Sequence, residues 1–373
     1  MKRGKSRLKF WGICGAAVLY VIIFPVSTGK ELFLLPEWSA DVSREAGGAD
    51  VSGGDGEAFP FTLSGYLGYA AEGGELLFRE ELSYGAAVGP DFFVNYPAFP
   101  LNLLIRDRQG DFLGNTDSGY PFIRNEKLFL LSPDGYGLSH IDERGAVRWE
   151  KKFSSLITVA DAGEEKTVVG FLDGKTVVLG TDGGVEYETA VMKDGPALTL
   201  QTGIASDGLH FTEIGGIRQQ RLRLFMKQEQ GYAAVFQADL TGSYRRAPAA
   251  RYFSKPDYFI FEQPGGAGFF EVEKRNLFFV SLPGRLLALA GKRPCGLFLF
   301  LTEEEDRMYC TAYLPDGNRV FGFSYAKPQV QTGQTGQTGQ TEQTGSAYYL
   351  YGTEEKFLLG SGSGLYCITL GVS

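Results

Sequence analysis

The sequence is poor in the residues that build metal centres and disulfide-linked scaffolds. It contains 2 His and 4 Cys among 373 residues. His140 and His210 lie far apart, and neither has a Cys or His at ligand spacing, so no zinc-type centre is predicted. Four cysteines are too few for a disulfide framework. Cys295 and Cys310 flank a predicted hairpin and could form a disulfide across it, or could be buried thiols that act as small apolar groups.

Recognisable catalytic patterns are also absent from the sequence. The chain has no Gly-x-Ser-x-Gly elbow. The four adjacent acids of 303–306 repel one another at a predicted hairpin tip, so they are poor candidates for a catalytic pair. We therefore expect no catalytic residues, no cofactor-binding residues and no metal ligands. On this basis the protein is predicted not to be an enzyme.

Negative charge is missing from the N-terminus. No acidic residue precedes Glu31, whereas five of the 36 Lys and Arg residues lie within 1–9. The rest of the chain is therefore more acidic than the overall net charge of −8 indicates. A polyanion such as nucleic acid is not an expected partner for that surface.

An uncharged apolar run follows the basic tail. Residues 10–26 read FWGICGAAVLYVIIFPV, which is short for a transmembrane helix and long for a signal-peptide core. No clear signal-peptidase site follows, so we favour an uncleaved signal anchor over a cleaved signal peptide. Residues 1–9 would then stay in the cytoplasm, and the C-terminal domain would be exported to the periplasm or the cell exterior. The predicted location is the cytoplasmic membrane, with a single pass.

Residues 27–58 are predicted to form a juxtamembrane segment and a flexible linker. The stretch from Ser39 to Ala58 is rich in Gly, Ala and Asp, which is typical of linkers. The segment from Lys30 to Trp38 could extend the anchor, lie at the membrane surface or supply a strand.

The main positive signal is an internal repeat between Glu126 and Val191. A shift of 39 residues superimposes Glu126, Lys127, Asp134, Gly135 and Gly145 on Glu165, Lys166, Asp173, Gly174 and Gly184. Short apolar runs separated by Asp-Gly turns, with a period near 40 residues, are typical of β-propeller blades. The abundance of Phe (29), Tyr (19) and Gly (51) also favours an all-β fold.

Similar runs and turns continue over residues 59–373. The predicted fold is a β-propeller of about seven four-stranded blades, although six or eight blades also fit the length. We assign structural roles in the blade turns to Asp134, Gly135, Gly145, Asp173, Gly174, Gly184, Asp316 and Gly317. The QTG-repeat segment 331–345 is predicted to be a disordered loop. The last strand should pair with an early one, either within 61–67 or within 32–35.

The segments LFLLSPDGYGLSHIDERGAVRWEKKF (128–153) and TVVGFLDGKTVVLGTDGG (167–184) resemble the PQQ-like, or quinoprotein-like, propeller repeat. WD-repeat propellers share the architecture, but their Gly-His and Trp-Asp dipeptides are absent here. The resemblance implies either an exported scaffold at the cell envelope or a quinone-dependent dehydrogenase. The sequence departs from the dehydrogenases because it lacks their adjacent Cys pair and has only Trp149 in this part. No cofactor site is therefore carried over.

Two functional hypotheses follow. The first is a non-enzymatic scaffold, anchored in the cytoplasmic membrane, that binds an unknown protein or envelope polymer. The second is an enzyme, either quinoprotein-like or a hydrolase, with carboxylates from different blades meeting at the channel mouth. A sensor ectodomain is disfavoured because only nine residues precede the apolar run, too few for a cytoplasmic output domain.

Overall fold

The described part of the chain consists of β-strands joined by turns. The computed structural model describes residues 32–44, 57–189, 198–242, 244, 246–254, 257–292, 296–328, 348–353 and 356–372. Within these ranges there are 31 strands and no helix. In chain order the strands are β1 Leu32–Asp41, β2 Ala58–Leu63, β3 Tyr66–Ala71, β4 Leu76–Glu81, β5 Gly85–Val88, β6 Phe92–Tyr96, β7 Leu103–Asp107, β8 Phe112–Thr116, β9 Tyr120–Arg124, β10 Lys127–Leu131, β11 Gly137–Ile141, β12 Val147–Lys152, β13 Ile157–Ala162, β14 Thr167–Phe171, β15 Thr176–Leu179, β16 Val185–Glu188, β17 Thr199–Ile204, β18 His210–Gly215, β19 Arg221–Gln228, β20 Gly231–Asp239, β21 Ala250–Phe253, β22 Tyr258–Gln263, β23 Gly266–Glu271, β24 Asn276–Ser281, β25 Arg285–Lys292, β26 Leu297–Glu304, β27 Arg307–Tyr313, β28 Arg319–Ala326, β29 Tyr348–Gly352, β30 Lys356–Ser361 and β31 Gly364–Val372.

The strands form eight antiparallel sheets, which we number as blades. Blade 1 contains β2 to β4, and blades 2 to 7 each contain four consecutive strands, from β5–β8 to β25–β28. Blade 8 has the order β29-β30-β31-β1. Apart from β9 and β13, the first strands of neighbouring blades contact one another from β2 round to β29, and β29 contacts β2. The approach between β9 and β13 is looser than the other contacts. The sheets therefore form a ring with β2, β5, β9, β13, β17, β21, β25 and β29 on the inside.

The prediction of seven blades is wrong, since the described strands form eight. The error has a physical cause in two short blades. Blade 1 has three strands between residues 58 and 81, and blade 8 takes its fourth strand from β1. Dividing the length by the size of a complete blade therefore underestimates their number.

Strand β1 closes the ring. Its pairing with β31 confirms that the last strand pairs with an early strand, and shows that part of 30–38 is a strand. The alternative partner, 61–67, lies in blade 1. The chain divides into a large unit, 36–369, and a small unit formed by 1–35 and 370–373. In the small unit the structure describes residues 32–35, which begin β1, and 370–372, which end β31. The features discussed below belong to the large unit.

Alternation along the strands makes core layers between neighbouring blades. On β10, Leu128 and Leu130 pack in a cluster with Phe92 of blade 2, whereas Phe129 between them packs with Phe171 of blade 4. Successive side chains of a strand point to opposite faces, so a middle strand covered on both faces must be apolar at every position. This explains the continuous apolar runs that mark the middle strands in the sequence.

The turn residues selected from the repeat lie between the second and third, or third and fourth, strands. The Asp134 carboxylate accepts the Tyr136 N–H at 3.0 Å, and the Asp173 and Asp316 carboxylates accept N–H groups two residues on in the same way. Positive φ occurs at Gly135, Gly145, Gly174 and Gly317. In the turn that contains Gly184, positive φ occurs instead at Gly183, while Gly184 donates its N–H to Asp182 at 2.9 Å. The repeat is therefore one residue shorter at this turn than the sequence superposition indicates.

Several predicted segments lie outside the described residues. They are the transmembrane segment 10–26, the loop 331–345 and Cys295. In the part of the chain that is described, no helix is long and apolar enough to cross a membrane. Cys310 is fully buried on β27 as a free thiol, and burial raises the pKa of this thiol to about 12.

The contact between blades 2 and 3 can be tested at Gly145. A Cβ atom there would lie 1.9 Å from the Asn115 carbonyl oxygen of β8, and the residue has φ +86°. Gly65 has a similar φ of +81° but no atom within 4 Å of the added Cβ. We expect Gly65→Ala to cost about 1 kcal/mol of unfolding free energy through backbone strain, and Gly145→Ala to cost about 3 kcal/mol. Equal losses in denaturant titrations would show that blades 2 and 3 are not packed as described.

The closure of the ring can be tested at Lys356. Its ammonium group lies 2.9 Å from both the Glu37 carboxylate of β1 and the Glu72 carboxylate beside β3, and its side chain is 10% exposed. Both acids are partly exposed, so we expect Lys356→Ala to lower the unfolding free energy by about 1–2 kcal/mol. The control is Lys274→Ala, which removes an exposed ion pair with Glu271 and should cause no measurable change. If Lys356→Ala left the unfolding free energy unchanged, this role of the lysine would be contradicted.

Candidate functional site

The inner strands enclose a channel of about 930 Å³. Its wall comes from the first strands of blades 3 to 8 and from the residues that follow them. The lining includes Phe122–Asn125, Ile157–Ala162, Gln201, Ile204, Ala250–Ser254, Gly291, Gly352 and Thr353. Most of the lining strand residues are apolar, so the charged groups among them stand out.

Four charged residues line this channel: Arg124, Asp161, Glu164 and Arg251. One carboxylate oxygen of Asp161 accepts the Ile204 N–H at 3.1 Å, which links blades 4 and 5. Burial raises the pKa of Asp161, although Arg124, this hydrogen bond and Arg251 act in the opposite direction. The loss of hydration therefore affects the pKa of Asp161 more than the two arginines do. This indicates that neither arginine forms a close ion pair with the carboxylate.

The two arginines stack on aromatic rings of their own strands. The guanidinium carbon of Arg124 lies 5.7 Å from the centre of the Phe122 ring, and that of Arg251 lies 5.4 Å from the Phe253 ring. Arg124 donates one hydrogen bond, to the Ile123 carbonyl at 2.9 Å. Among the described residues Arg251 has no hydrogen-bond or ion-pair partner. Desolvation by the channel wall lowers the pKa of Arg251 despite the opposing effects of Tyr351 and Asp161, although the residue is exposed to the channel.

The position of Arg124 is set by a tight hairpin. Asn125 and Glu126 connect β9 to β10 and both have positive φ, 47° and 63°, as in a type I′ turn. The turn places Arg124 directly opposite Lys127 in the register of the two strands. The Lys127 ammonium donates to the Gly163 carbonyl at 2.9 Å and to the Glu164 carbonyl, so it is held beside blade 4.

A network of polar groups crosses the channel mouth from blade 4 to blade 6. The Ser206 hydroxyl donates to the Glu164 carboxylate at 2.6 Å, and the Ser206 N–H donates to the Ser254 hydroxyl at 3.1 Å. These residues follow the inner strands β13, β17 and β21, so they lie at one end of the channel. The network fixes the spacing of three blades at this end.

A buried His–Asp–Tyr group lies beside the mouth. His210 Nε2 and the Asp257 carboxylate are 2.6 Å apart and join blades 5 and 6. The Tyr252 ring, which lines the channel, meets the His210 ring edge-on at 6.1 Å between centres. His210 Nδ1 and the Tyr252 hydroxyl are buried without a partner among the described residues. Burial strongly raises the pKa of Tyr252, which keeps this phenol neutral.

The second hypothesis, an enzyme, would be supported by acids from different blades meeting at the channel mouth, and the described lining contains no such group. The two acids there, Asp161 and Glu164, both belong to blade 4. Outside the channel, the buried carboxylate of Glu213 on β18 bonds Arg223 on β19, with Nε to Oε1 at 2.7 Å. That pair lies within blade 5.

A second notable surface lies beside blade 1, which has three strands among the described residues. The free edge of its third strand, β4, makes no backbone ladder with any other described strand. Next to it, blade 2 exposes four apolar side chains, which we call the open face: Phe99 (84% exposed), Leu101 (75%), Leu104 (41%) and Phe112 (62%). By contrast, the third strands β11, β15, β19, β23 and β27 expose no large apolar residue.

Strand register explains why the open face is exposed. Leu103 and Ile105 of β7 pack toward blade 3, so Leu104 and Arg106 point toward blade 1. Phe112 pairs with Arg106 and shares that side. Arg106 reaches the Glu80 carboxylate of β4 at 3.0 Å. A fourth strand in blade 1 would cover Leu104 and Phe112. Among the described residues none does so, and a second cavity of about 350 Å³ is lined partly by Leu104 and Arg106.

Comparison with known proteins agrees with this architecture. A sequence profile for a family described as β-propeller protein matches residues 2–337. The chain belongs to the β-propeller proteins. The match is to propellers in general, so the finer resemblance to PQQ-like repeats stays a prediction.

Individual relatives of this propeller are distant. An uncharacterised protein of Treponema pallidum (strain Nichols) is 23% identical over 300 residues, which cover 78% of this chain and 79% of that protein. The crystal structure of the computationally designed protein Ika8 has a TM-score of 0.55 at 10% identity, over 85% of this chain and 97% of that one. BamB from Moraxella catarrhalis has a TM-score of 0.45 at 14% identity, over 77% and 94% of the two chains. The likeness to Ika8 supports the fold alone.

The turn residues chosen from the sequence lie away from the lining of the channel, and the groups inside it were missed. Arg124, Asp161 and Arg251 come from three blades and share no local motif. The signal that could have revealed them is position within the blade. Each is a charged residue on a first strand of the propeller, where neighbours such as Ala160 and Ala162 are apolar.

The burial of Asp161 predicts a pH-dependent effect on stability. Because its folded-state pKa is raised, its ionisation weakens the fold as pH rises from the ordinary carboxyl range through the folded-state pKa. We expect Asp161→Asn to be more stable than the parent at neutral pH, and this difference to disappear at pH about 3, where the parent carboxyl is protonated too. Denaturant titrations across this range check the result. A destabilising Asp161→Asn at neutral pH would contradict it.

Proposed function

We propose that this β-propeller is a non-enzymatic protein-interaction scaffold, anchored on the outer face of the cytoplasmic membrane. The observation that carries the proposal is the incomplete blade 1 together with the open face of blade 2. Contiguous exposed apolar surface is uncommon on soluble proteins and typically marks a site of protein contact.

The partner is an extended segment of another protein that adds to β4 as the fourth strand of blade 1. The free N–H and C=O groups along β4 offer a template for such pairing. Alternate side chains of an added strand would face blade 2 and cover Leu104 and Phe112. The second cavity beside Leu104 would take one of these side chains.

The charged groups around this surface should orient the partner but contribute little to its affinity. Glu80 is already bound by Arg106 and by the Asn95 amide, whose Nδ2 lies 2.7 Å from the carboxylate. These polar groups form a rim beside Leu104, and interfaces of this kind place polar rims around an apolar centre. The affinity should therefore depend mainly on the apolar side chains.

Anchoring is proposed from the N-terminal sequence. Five basic residues within 1–9 precede the apolar run 10–26, and the positive-inside rule keeps such a flank in the cytoplasm. The propeller and its open face would then lie outside the membrane. An enzymatic function is not favoured by the geometry, because the described channel acids come from a single blade.

Charged substitutions on the open face test the proposal. We expect Leu104→Asp and Phe112→Asp to abolish recovery of a stoichiometric partner that the parent chain retains, because each places a charge in the apolar contact. The measurement is co-purification from crosslinked membranes with the full-length chain, followed by mass spectrometry.

The matched control is Phe279→Asp. Phe279 is 47% exposed on β24, the outermost strand of blade 6, just as Phe112 lies on the outermost strand of blade 2. This control should retain the partner, and unfolding midpoints should verify that all variants fold. Retention of the partner by the Leu104 and Phe112 variants would refute the proposed docking surface.

A further inference from the structure

The turns at one end of the ring differ from blade to blade. In blades 2 to 5 the turns between the second and third strands are 97–102, 132–136, 172–175 and 216–220. Each of them exposes at least one large apolar side chain, and we call these residues the turn surface: Phe99, Leu101, Tyr136 (39% exposed), Leu172 (48%) and Ile217 (55%). The equivalent turns of blades 6 to 8, which are 264–265, 305–306 and 362–363, expose none.

We infer that the protein partner proposed above extends from the open face onto the turn surface, and packs an apolar face of its own against it. This inference rests on the proposed scaffold function, because it assigns a further contact to the same partner. The two surfaces are continuous, since Phe99 and Leu101 belong to both. A contiguous apolar surface over four successive blades is the kind of surface that marks a site of protein contact.

Hydrogen bonds connect the turn surface from blade 3 to blade 5. The Ile157 N–H, at the start of the first strand of blade 4, donates to the Gly135 carbonyl in the turn of blade 3 at 2.9 Å. The Thr199 hydroxyl, at the start of the first strand of blade 5, donates to the Lys175 carbonyl in the turn of blade 4 at 3.1 Å. These turns therefore lie where the first strands begin. The polar network that joins blades 4 to 6 lies at the opposite end of the ring.

Side-chain hydrogen bonds fix the turns that carry the apolar residues. In blade 2 the Asn115 amide donates to the Asn102 side chain at 2.9 Å. In blades 3 and 4 the aspartate of each turn accepts an N–H group two residues on. In blade 5 the Gln220 amide donates to the Tyr244 carbonyl at 2.9 Å. A partner that binds fixed turns loses less conformational entropy than one that must order them.

The charges of the four turns favour a protein partner over a lipid surface. The turns contain two acids, Asp134 and Asp173, and two bases, Lys175 and Arg218. Lys175 is paired with the Glu188 carboxylate at 2.7 Å. Segments that bind anionic lipid carry an excess of Lys and Arg beside their apolar face, and these turns have no such excess. Apolar and aromatic side chains with few charges are typical of the centre of a protein interface.

The test is site-specific photo-crosslinking in membranes that contain the full-length chain. A photoreactive amino acid takes the place of Leu172 or Ile217. The matched control position is Pro264, which is exposed in the equivalent turn of blade 6. We expect positions 172 and 217 to crosslink the same protein that copurifies with the parent chain, and position 264 to yield no such product. Mass spectrometry of the product identifies what is attached.

Charged substitutions measure how much the turn surface contributes to binding. Leu172→Asp and Ile217→Asp should each lower recovery of that partner about tenfold, because each places a charge in an apolar contact. The control is Leu209→Asp, which should retain the partner. Leu209 is 51% exposed in blade 5, but it lies in the turn at the other end of β18. All three positions are exposed, so the unfolding midpoints should stay close to that of the parent.

The inference is overturned if positions 172 and 217 do not crosslink that protein, whether they capture lipid, a second copy of the chain or nothing. It is also overturned if Leu172→Asp and Ile217→Asp retain the partner while the Leu104 and Phe112 variants lose it. The reverse result would refute docking at β4 and leave the turn surface in place. If the parent chain recovers no partner, the scaffold function fails and this inference fails with it.

Discussion

Closure of the ring is the constraint on which the rest of the structure depends. Blade 8 is complete only when β1, from the start of the described chain, pairs with β31 from its end. Lys356 joins Glu37 of β1 to Glu72 of blade 1, and the Tyr349 hydroxyl donates to the Pro60 carbonyl at 2.6 Å. Phe59 and Phe61 of blade 1 pack in one cluster with Leu358 of blade 8. Without this junction both terminal blades would expose an apolar face to water, at a cost that increases with the area exposed.

The same closure explains both functional surfaces. A closed ring holds eight first strands around one axis, which brings Arg124, Asp161 and Arg251 together although they are far apart in the sequence. The use of β1 in blade 8 also means that the chain enters blade 1 at its inner strand β2 and leaves it after β4. Blade 1 therefore stays one strand short among the described strands, and blade 2 exposes Leu104 and Phe112 beside it.

Features that depend on residues close together in the sequence could be predicted, and features that depend on distant strands could not. The strands and turns of blades 3 and 4 follow from alternation and Asp-Gly turns, which act within a few residues. The repeat predicted the turn glycine of blade 4 at Gly184, whereas the residue with positive φ is Gly183. The prediction missed by one residue because blade 4 is one residue shorter than blade 3 at this point. Blade number was predicted less well because blades 1 and 8 depend on which distant strand completes a sheet.

Candidate sites were not predictable for a related reason. The channel group combines residues of three blades. These residues can be recognised as one group only when the first strand of each blade is placed on the inside of the ring. The open face lies beside blade 1, which has three strands among the described residues. The apolar residues Leu104 and Phe112 look the same in the sequence as buried strand residues. His210 has no Cys or His at ligand spacing in the sequence, and its partner Asp257 comes from the next blade.

The most direct test of a closed ring with an unfilled strand position is hydrogen exchange in β4. The matched reference is β23, a six-residue third strand like β4 that is bonded on both edges. In the free full-length chain, about half of the β4 amides, those directed away from β3, should exchange fast while the β23 amides stay protected. Equal protection of β4 and β23 would show that another segment already fills the edge, and would contradict the account.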